Sequence, residues 1–136
     1  MEHNEYVAFE ELLGKTLTQV NVFDDPSIGD GDEIIFISND GSRYKMYHNQ
    51  DCCESVYIDD ICGNLEDLIG TPILLAEEVS EDNHDTDERD DNSKTWTFYK
   101  LSTIKGSVTI RWIGQSNGHY SESVNFVEVI GENDAV

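Results

Sequence analysis

The sequence predicts a strand-dominated α+β domain: a small antiparallel sheet, a sandwich or a half-barrel, with one or two short helices. Three observations predict it. Apolar residues recur in short alternating runs, separated by clusters of Gly, Asn, Asp and Ser. Asn39-Asp40-Gly41-Ser42 stands between two such runs, Glu33–Ser38 and Arg43–His48, which is the strongest hairpin signal in the chain. A second hairpin pattern joins Thr95–Leu101 to Ser107–Ile113 through Ser102-Thr103-Ile104-Lys105-Gly106.

Residues 7–14 place Phe9, Leu12 and Leu13 at helical spacing and stop at Gly14, which predicts a short N-terminal helix or turn. Leu17–Phe23 reads as a strand with Val20 and Val22 on one face. Residues 24–32 combine Pro, Gly and Asp and read as a loop. After the first hairpin, Asp51–Asp59 begins as a loop and continues as a strand. Its alternation puts Cys52, Glu54, Val56 and Ile58 on one side. Asn64 is a good N-cap for one helical turn that holds Glu66 and Asp67 and ends at Gly70. Ile73–Val79 is the next strand. Residues 80–94 contain no apolar side chain and read as a mobile acidic loop. Trp96 and Phe98 share one face of the second hairpin, and Val108, Ile110 and Trp112 share one on its partner strand. Gly114–Gly118 reads as a turn, Ser123–Ile130 as the last strand, and residues 131–136 as a frayed tail.

At 136 residues and 38% hydrophobic content, the chain fits one domain with a packed core. No stretch resembles a signal peptide, and none approaches the ~20 apolar residues of a membrane span. The formal net charge is −21, whereas a small domain usually carries about 2–8 charges of either sign in excess. Between Lys45 and Arg89 there are thirteen acids and no Lys or Arg. Nucleic acid and anionic membranes are bound through Lys and Arg, so both are poor partners for this chain; a basic protein surface is a good one. The expected setting is cytoplasmic, with Cys52, Cys53 and Cys62 reduced.

Few patterns here carry chemistry. His48, Asp51, Cys52 and Glu54 form the one alternative metal set, for zinc or calcium. It lacks a Cys-x₂₋₄-Cys knuckle, and adjacent cysteines on a strand face opposite ways. Asp24, Asp25, Asp30 and Asp32 crowd one loop and Asp85, Asp87, Asp90 and Asp91 another, without EF-hand spacing. A reactive thiolate needs positive surroundings, and those of the cysteines are negative. Phosphate-loop, dinucleotide and hydrolase motifs are absent from the sequence. The expectation is a protein without enzymatic activity or cofactor. Trp96, Phe98, Tyr99 and Trp112 read first as packing residues and second as rings facing a partner.

Two stretches carry a family resemblance. One runs from Met46-Tyr47-His48-Asn49-Gln50 through Asp51-Cys52-Cys53-Glu54 to Asp59-Asp60, and on through Leu65–Leu74. The other comprises Thr95–Leu101, Lys105–Trp112 and Ser116-Asn117-Gly118. Over most of residues 33–130 the chain resembles a family of small acidic domains of uncharacterised function, found mostly in bacteriophages. The resemblance implies a phage-infected bacterial cytoplasm and carries over no catalytic residue. Together with the charge, it leads to the expectation of a binding protein that inhibits or modulates a host or anti-phage defence protein by occupying a basic nucleic-acid-binding surface. Asp51, Glu54, Asp59, Asp60, Glu66 and Asp67 are the expected partner-binding acids. A metal-binding module and a self-assembling accessory domain are the alternatives.

Overall fold

The computed structural model describes residues 2–24, 31–50, 53–84, 93–116 and 121–131. Nine strands form two antiparallel sheets. The first sheet has the order β1-β9-β4-β3-β2, built from β1 (Glu2–Tyr6), β2 (Leu17–Phe23), β3 (Glu33–Ser38), β4 (Arg43–Tyr47) and β9 (Asn125–Gly131). The second has the order β5-β8-β7-β6, built from β5 (Ser55–Cys62), β6 (Leu75–His84), β7 (Ser93–Thr103) and β8 (Gly106–Ser116). Two 3₁₀ helices, Phe9–Leu12 and Leu65–Leu68, complete the fold.

Period-two alternation decides which faces meet. On β3 and β4 the buried apolar residues are Ile34, Phe36, Tyr44 and Met46, and on the inner face of β7 and β8 they are Tyr99, Leu101, Val108, Ile110 and Trp112, with Ser38, Thr97, Thr103 and Ser116 buried in the same alternation. Phe126 of β9 lies among the rings of the first sheet. It stacks on Tyr44 at 5.6 Å and meets Phe9 and Phe36 edge-on at 5.2 and 6.2 Å. The Trp112 indole N–H donates to the Met46 sulfur at 3.1 Å, so its polar atom is satisfied inside the core and ties one sheet to the other. The 3₁₀ helix Phe9–Leu12 contributes Phe9, 4.7 Å from the Tyr99 ring, and Leu12.

The Asp40 turn shows why the first hairpin forms where it does. Gly41 adopts φ 90°, the Asp40 carboxylate accepts from the Ser42 N–H at 2.9 Å, and Lys15 donates to it at 2.6 Å. The lysine holds the Asp40 carboxyl well below the usual carboxylate range, with the Ser42 N–H adding to the effect.

The short helix or turn expected over residues 7–14 is present as the 3₁₀ helix Phe9–Leu12. The structure departs from sequence expectation at three places. The N-terminal segment adds an edge strand, β1, which a polar Glu-His-Asn-Glu-Tyr run does not advertise. β6 starts two residues later than expected and runs on to His84, while β7 starts at Ser93, so both ends of the expected acidic loop are strand. Backbone pairing carries the ladder there without apolar side chains to mark it; residues 85–92 lie outside the described residues. Finally, β8 continues through Gly114 to Ser116, where a turn was expected, because Gly114 is paired on both sides, to Val56 and Thr95.

Tyr99 generates a test. It is wholly buried, and among the described residues no group accepts from its hydroxyl. Burial, with Glu78 adding to it, pushes its pKa far up from 10.0. The folded state therefore keeps this proton at pH values where the unfolded chain releases it. The associated stability is fully present below about pH 10 and is lost as pH rises beyond that. Tyr99→Phe should leave stability at neutral pH unchanged or raise it by up to ~1 kcal/mol, and should flatten the alkaline decline. Urea denaturation between pH 7 and 11 measures both.

Candidate functional site

The outer face of the second sheet follows from strand register. Tyr57 of β5, Ile113 of β8 and Trp96 of β7 are cross-strand neighbours in one row that ends at Glu81 of β6. In the next row Arg111 pairs with Phe98, and Phe98 with Val79. In the third, Cys62, Thr109, Lys100 and Glu77 follow one another. Ile113 is only 8% exposed although it lies outside the inter-sheet core. Its cross-strand neighbours are the two aromatic residues, Tyr57, which is exposed, and Trp96, which is half-buried. The face thus has an apolar, aromatic centre. Around it stand Asp59, Asp60, Glu77 and Glu81, all exposed.

The expected acids do not form one group. Asp59 and Asp60 sit where β5 bulges against β8. Asp59 is bound by Arg111, from Nε at 2.6 Å and from Nη2 at 2.5 Å. Asp60 accepts from the Cys62 thiol at 3.2 Å, and that contact pushes the Cys62 pKa up, so this exposed cysteine is a poor nucleophile. Glu66 and Asp67 lie in the second 3₁₀ helix, where the Asn64 side chain accepts from the Glu66 N–H at 3.0 Å, as its capping role predicts. Asp67 is half-buried beside the β7–β8 turn: its carbonyl accepts from the Thr103 hydroxyl, and its carboxylate packs against Gly106. Across the edge strand, the Asp32 carboxylate accepts from the Ile58 N–H at 2.8 Å, and burial pushes its pKa up despite that bond.

Glu54 is a correction. It was expected on a partner-facing surface, yet it is buried, with its side chain fully shielded. Its Oε2 lies 2.7 Å from His48 Nε2, and His48 Nδ1 lies 2.7 Å from the Ser123 carbonyl. A carbonyl only accepts, so Nδ1 carries a proton; a second proton lies between Nε2 and the carboxyl, on one or the other. Gln50 closes the group by donating to the Glu54 carbonyl at 2.6 Å and to Oε1 at 3.3 Å. The cause is the period of the strand: Glu54 and Val56 face inward together, as the alternation implies, and a carboxylate on that face needs a buried partner.

These contacts bear on the metal set. Both imidazole nitrogens of His48 already have partners, so binding an ion would break one of those bonds. Asp51 and Cys52 lie outside the described residues. Among the described residues no group of three or more His, Cys, Asp or Glu could hold a metal ion. Cys62 is a free thiol, whereas Cys53 is disulfide-bonded, contrary to the expectation of reduced cysteines.

One buried group was missed from sequence. Glu122 is 8% exposed and accepts from the hydroxyls of Thr95 at 2.9 Å, Ser93 at 3.3 Å and Ser116. It packs directly on Gly114, where an added Cβ would meet the Glu122 carbonyl oxygen at 2.6 Å. A lone glycine within a strand pattern was the available signal, since it often marks the close approach of another backbone.

Removing one partner of a buried charged pair leaves the other uncompensated, so Glu54→Ala should cost about 3–5 kcal/mol. Glu54→Gln keeps an oxygen for His48 and should cost under about 2 kcal/mol. Gly114→Ala should cost about 1–3 kcal/mol through overpacking against Glu122. Denaturant melts of the three variants check this order.

No helix among the described residues is long and apolar enough to cross a membrane. Residues 10–126 match a family described as Domain of unknown function (DUF7448), a span that begins in the first 3₁₀ helix and ends in β9. Neither a curated protein nor a solved structure matches this chain. Since the match takes in all or part of every strand but β1, the chain belongs to the DUF7448 family.

Proposed function

We propose that this protein is a non-enzymatic binding module that docks the outer face of its second sheet on a basic protein surface. The observation that carries this reading is the outer-face patch of Tyr57, Trp96 and Phe98 around the buried Ile113, with acids at its margin. Interfaces that bind specifically combine a desolvated apolar centre, rich in Trp and Tyr, with a polar rim. At a net charge of −21 the rim favours a cationic partner, and long-range attraction speeds the encounter. The same charge works against docking of a second copy, which would bring like charges together.

The partner class is a protein whose basic groove serves nucleic acid, because carboxylates can stand there in place of phosphates. The resemblance to bacteriophage domains supports reading this activity as inhibition or modulation of a host or defence protein in an infected bacterial cytoplasm. Asp60, Glu77 and Glu81 are the acids that supply the charge at the rim. Asp59 is already matched by Arg111, and Glu54 is buried, so neither is assigned that role.

Capture from bacterial lysate at low salt, with double-stranded DNA as competitor, tests this reading. The protein should retain a basic, nucleic-acid-binding protein that DNA displaces. Trp96→Ala should weaken retention by about 30-fold or more, the scale of a hot-spot residue. Asp60→Lys with Glu81→Lys should weaken it and reduce its salt dependence. Retention that DNA leaves untouched, or that survives both sets of changes, would contradict the proposal.

A further inference from the structure

The opposite side of the molecule carries a different chemistry. The outer face of the first sheet holds a pocket of about 520 Å³ lined by His3, Asn4, Ile35, Arg43, Lys45 and Val129. Small-molecule sites typically measure about 300–1,000 Å³. Eight Lys and Arg serve the whole chain, and two of them line this one pocket.

The placement follows from register. Arg43 and Lys45 are two residues apart on β4, so both project from the same face of the sheet. Val129 lies opposite Arg43, on one flank, and Ile35 lies opposite Lys45, on the other. Lys45 is paired with Glu33 at 3.2 Å and lies 4.6 Å from the Tyr47 ring centre, so an anion at its ammonium shares it with the Glu33 carboxylate. His3 comes from β1, at the edge of the same sheet, where Glu5 lies 3.6 Å from its ring. Two cations set against two branched apolar side chains match a ligand with an anionic head and a small hydrocarbon body.

We infer that this pocket binds a small organic acid, its carboxylate or phosphate against Arg43 and Lys45 and its apolar body on Ile35 and Val129. The site is independent of the protein-docking face, since it lies on the other sheet and uses the opposite charge. Attraction must act at short range there, because beyond a Debye length of about 8–10 Å the rest of the protein offers an incoming anion only screened repulsion.

Methyl NMR on the full chain tests the inference, with benzoate, phenyl phosphate, inorganic phosphate and benzyl alcohol as probes at constant ionic strength. Benzoate or phenyl phosphate should shift the Ile35 and Val129 methyl signals in a saturable way. Benzyl alcohol and inorganic phosphate should bind at least tenfold more weakly, each lacking half of the recognised chemistry. Arg43→Gln and Lys45→Gln, made singly, should each weaken the response about tenfold; preserved shift dispersion shows that the variant is folded, and either variant suffices. The inference is overturned if neither acid shifts these methyls. It is overturned equally if inorganic phosphate binds as well as phenyl phosphate, which would show an adventitious ion only, or if a folded variant binds unchanged. Failure of protein capture through the second sheet would leave these outcomes untouched.

Discussion

Charge repulsion is the constraint around which this fold is arranged. A chain with a net charge of −21 must gain enough from burial to hold its acids together, and it does so between two sheets. Their facing sides carry a largely apolar core with a few buried hydroxyls, among them Ser38, Thr97 and Thr103. Phe126, Phe36 and Tyr44 from one sheet, and Tyr99, Leu101 and Trp112 from the other, supply that burial. Trp112 matters most among them, as the largest fully buried side chain and through its donor contact to Met46 across the two sheets. Acids are then left to edges and outer faces. Asp59 and Asp60 lie on β5 and Glu77 and Glu81 on β6, the two edges of the second sheet. Charge on an edge strand also discourages pairing with the edge of another molecule.

Among the described residues two carboxylates are buried, in departure from this arrangement, and each is matched in its own way. Glu54 is held by His48 and Gln50, which join the loop after β4 to the start of β5. Glu122 is held by three hydroxyls from β7 and β8 and stands against the one glycine that admits it. The Ser123 carbonyl, one residue on from Glu122, accepts from His48, so the two groups adjoin along the chain. Buried polar groups of this kind add little net stability when satisfied and cost a great deal when broken. Their effect is to fix where the loops at that end of the sheets can lie.

Most strands could be read from the sequence because most strands have one wet and one dry face. Both hairpins and the Asn64 cap lie where turn chemistry and alternation put them. Legibility failed where the backbone, not the side chains, decides the structure. β1 and the far end of β6 are paired yet polar, and no apolar period marks them. The candidate site was half legible. Alternation placed Trp96 and Phe98 on one face, but a single face of aromatics looks like core until the second sheet shows which side is covered. Alternation put Glu54 on the side of Val56, but its burial follows only once the first sheet covers that side. The pocket around Arg43 and Lys45 was invisible in sequence, since it joins β1, β3, β4 and β9 from both ends of the chain.

The two faces give the molecule opposite characters, an aromatic and acidic surface on one sheet and a small basic pocket on the other. The central claim is that the first of these meets a partner. The chain contains only two tryptophans, Trp96 half-buried on that face and Trp112 fully buried in the core. Labelling with 5-fluorotryptophan therefore yields one reporter for the face and one internal control in a single fluorine NMR spectrum. Addition of the captured basic partner should move the Trp96 resonance and leave that of Trp112 in place. Saturating binding that moves neither resonance would contradict the account.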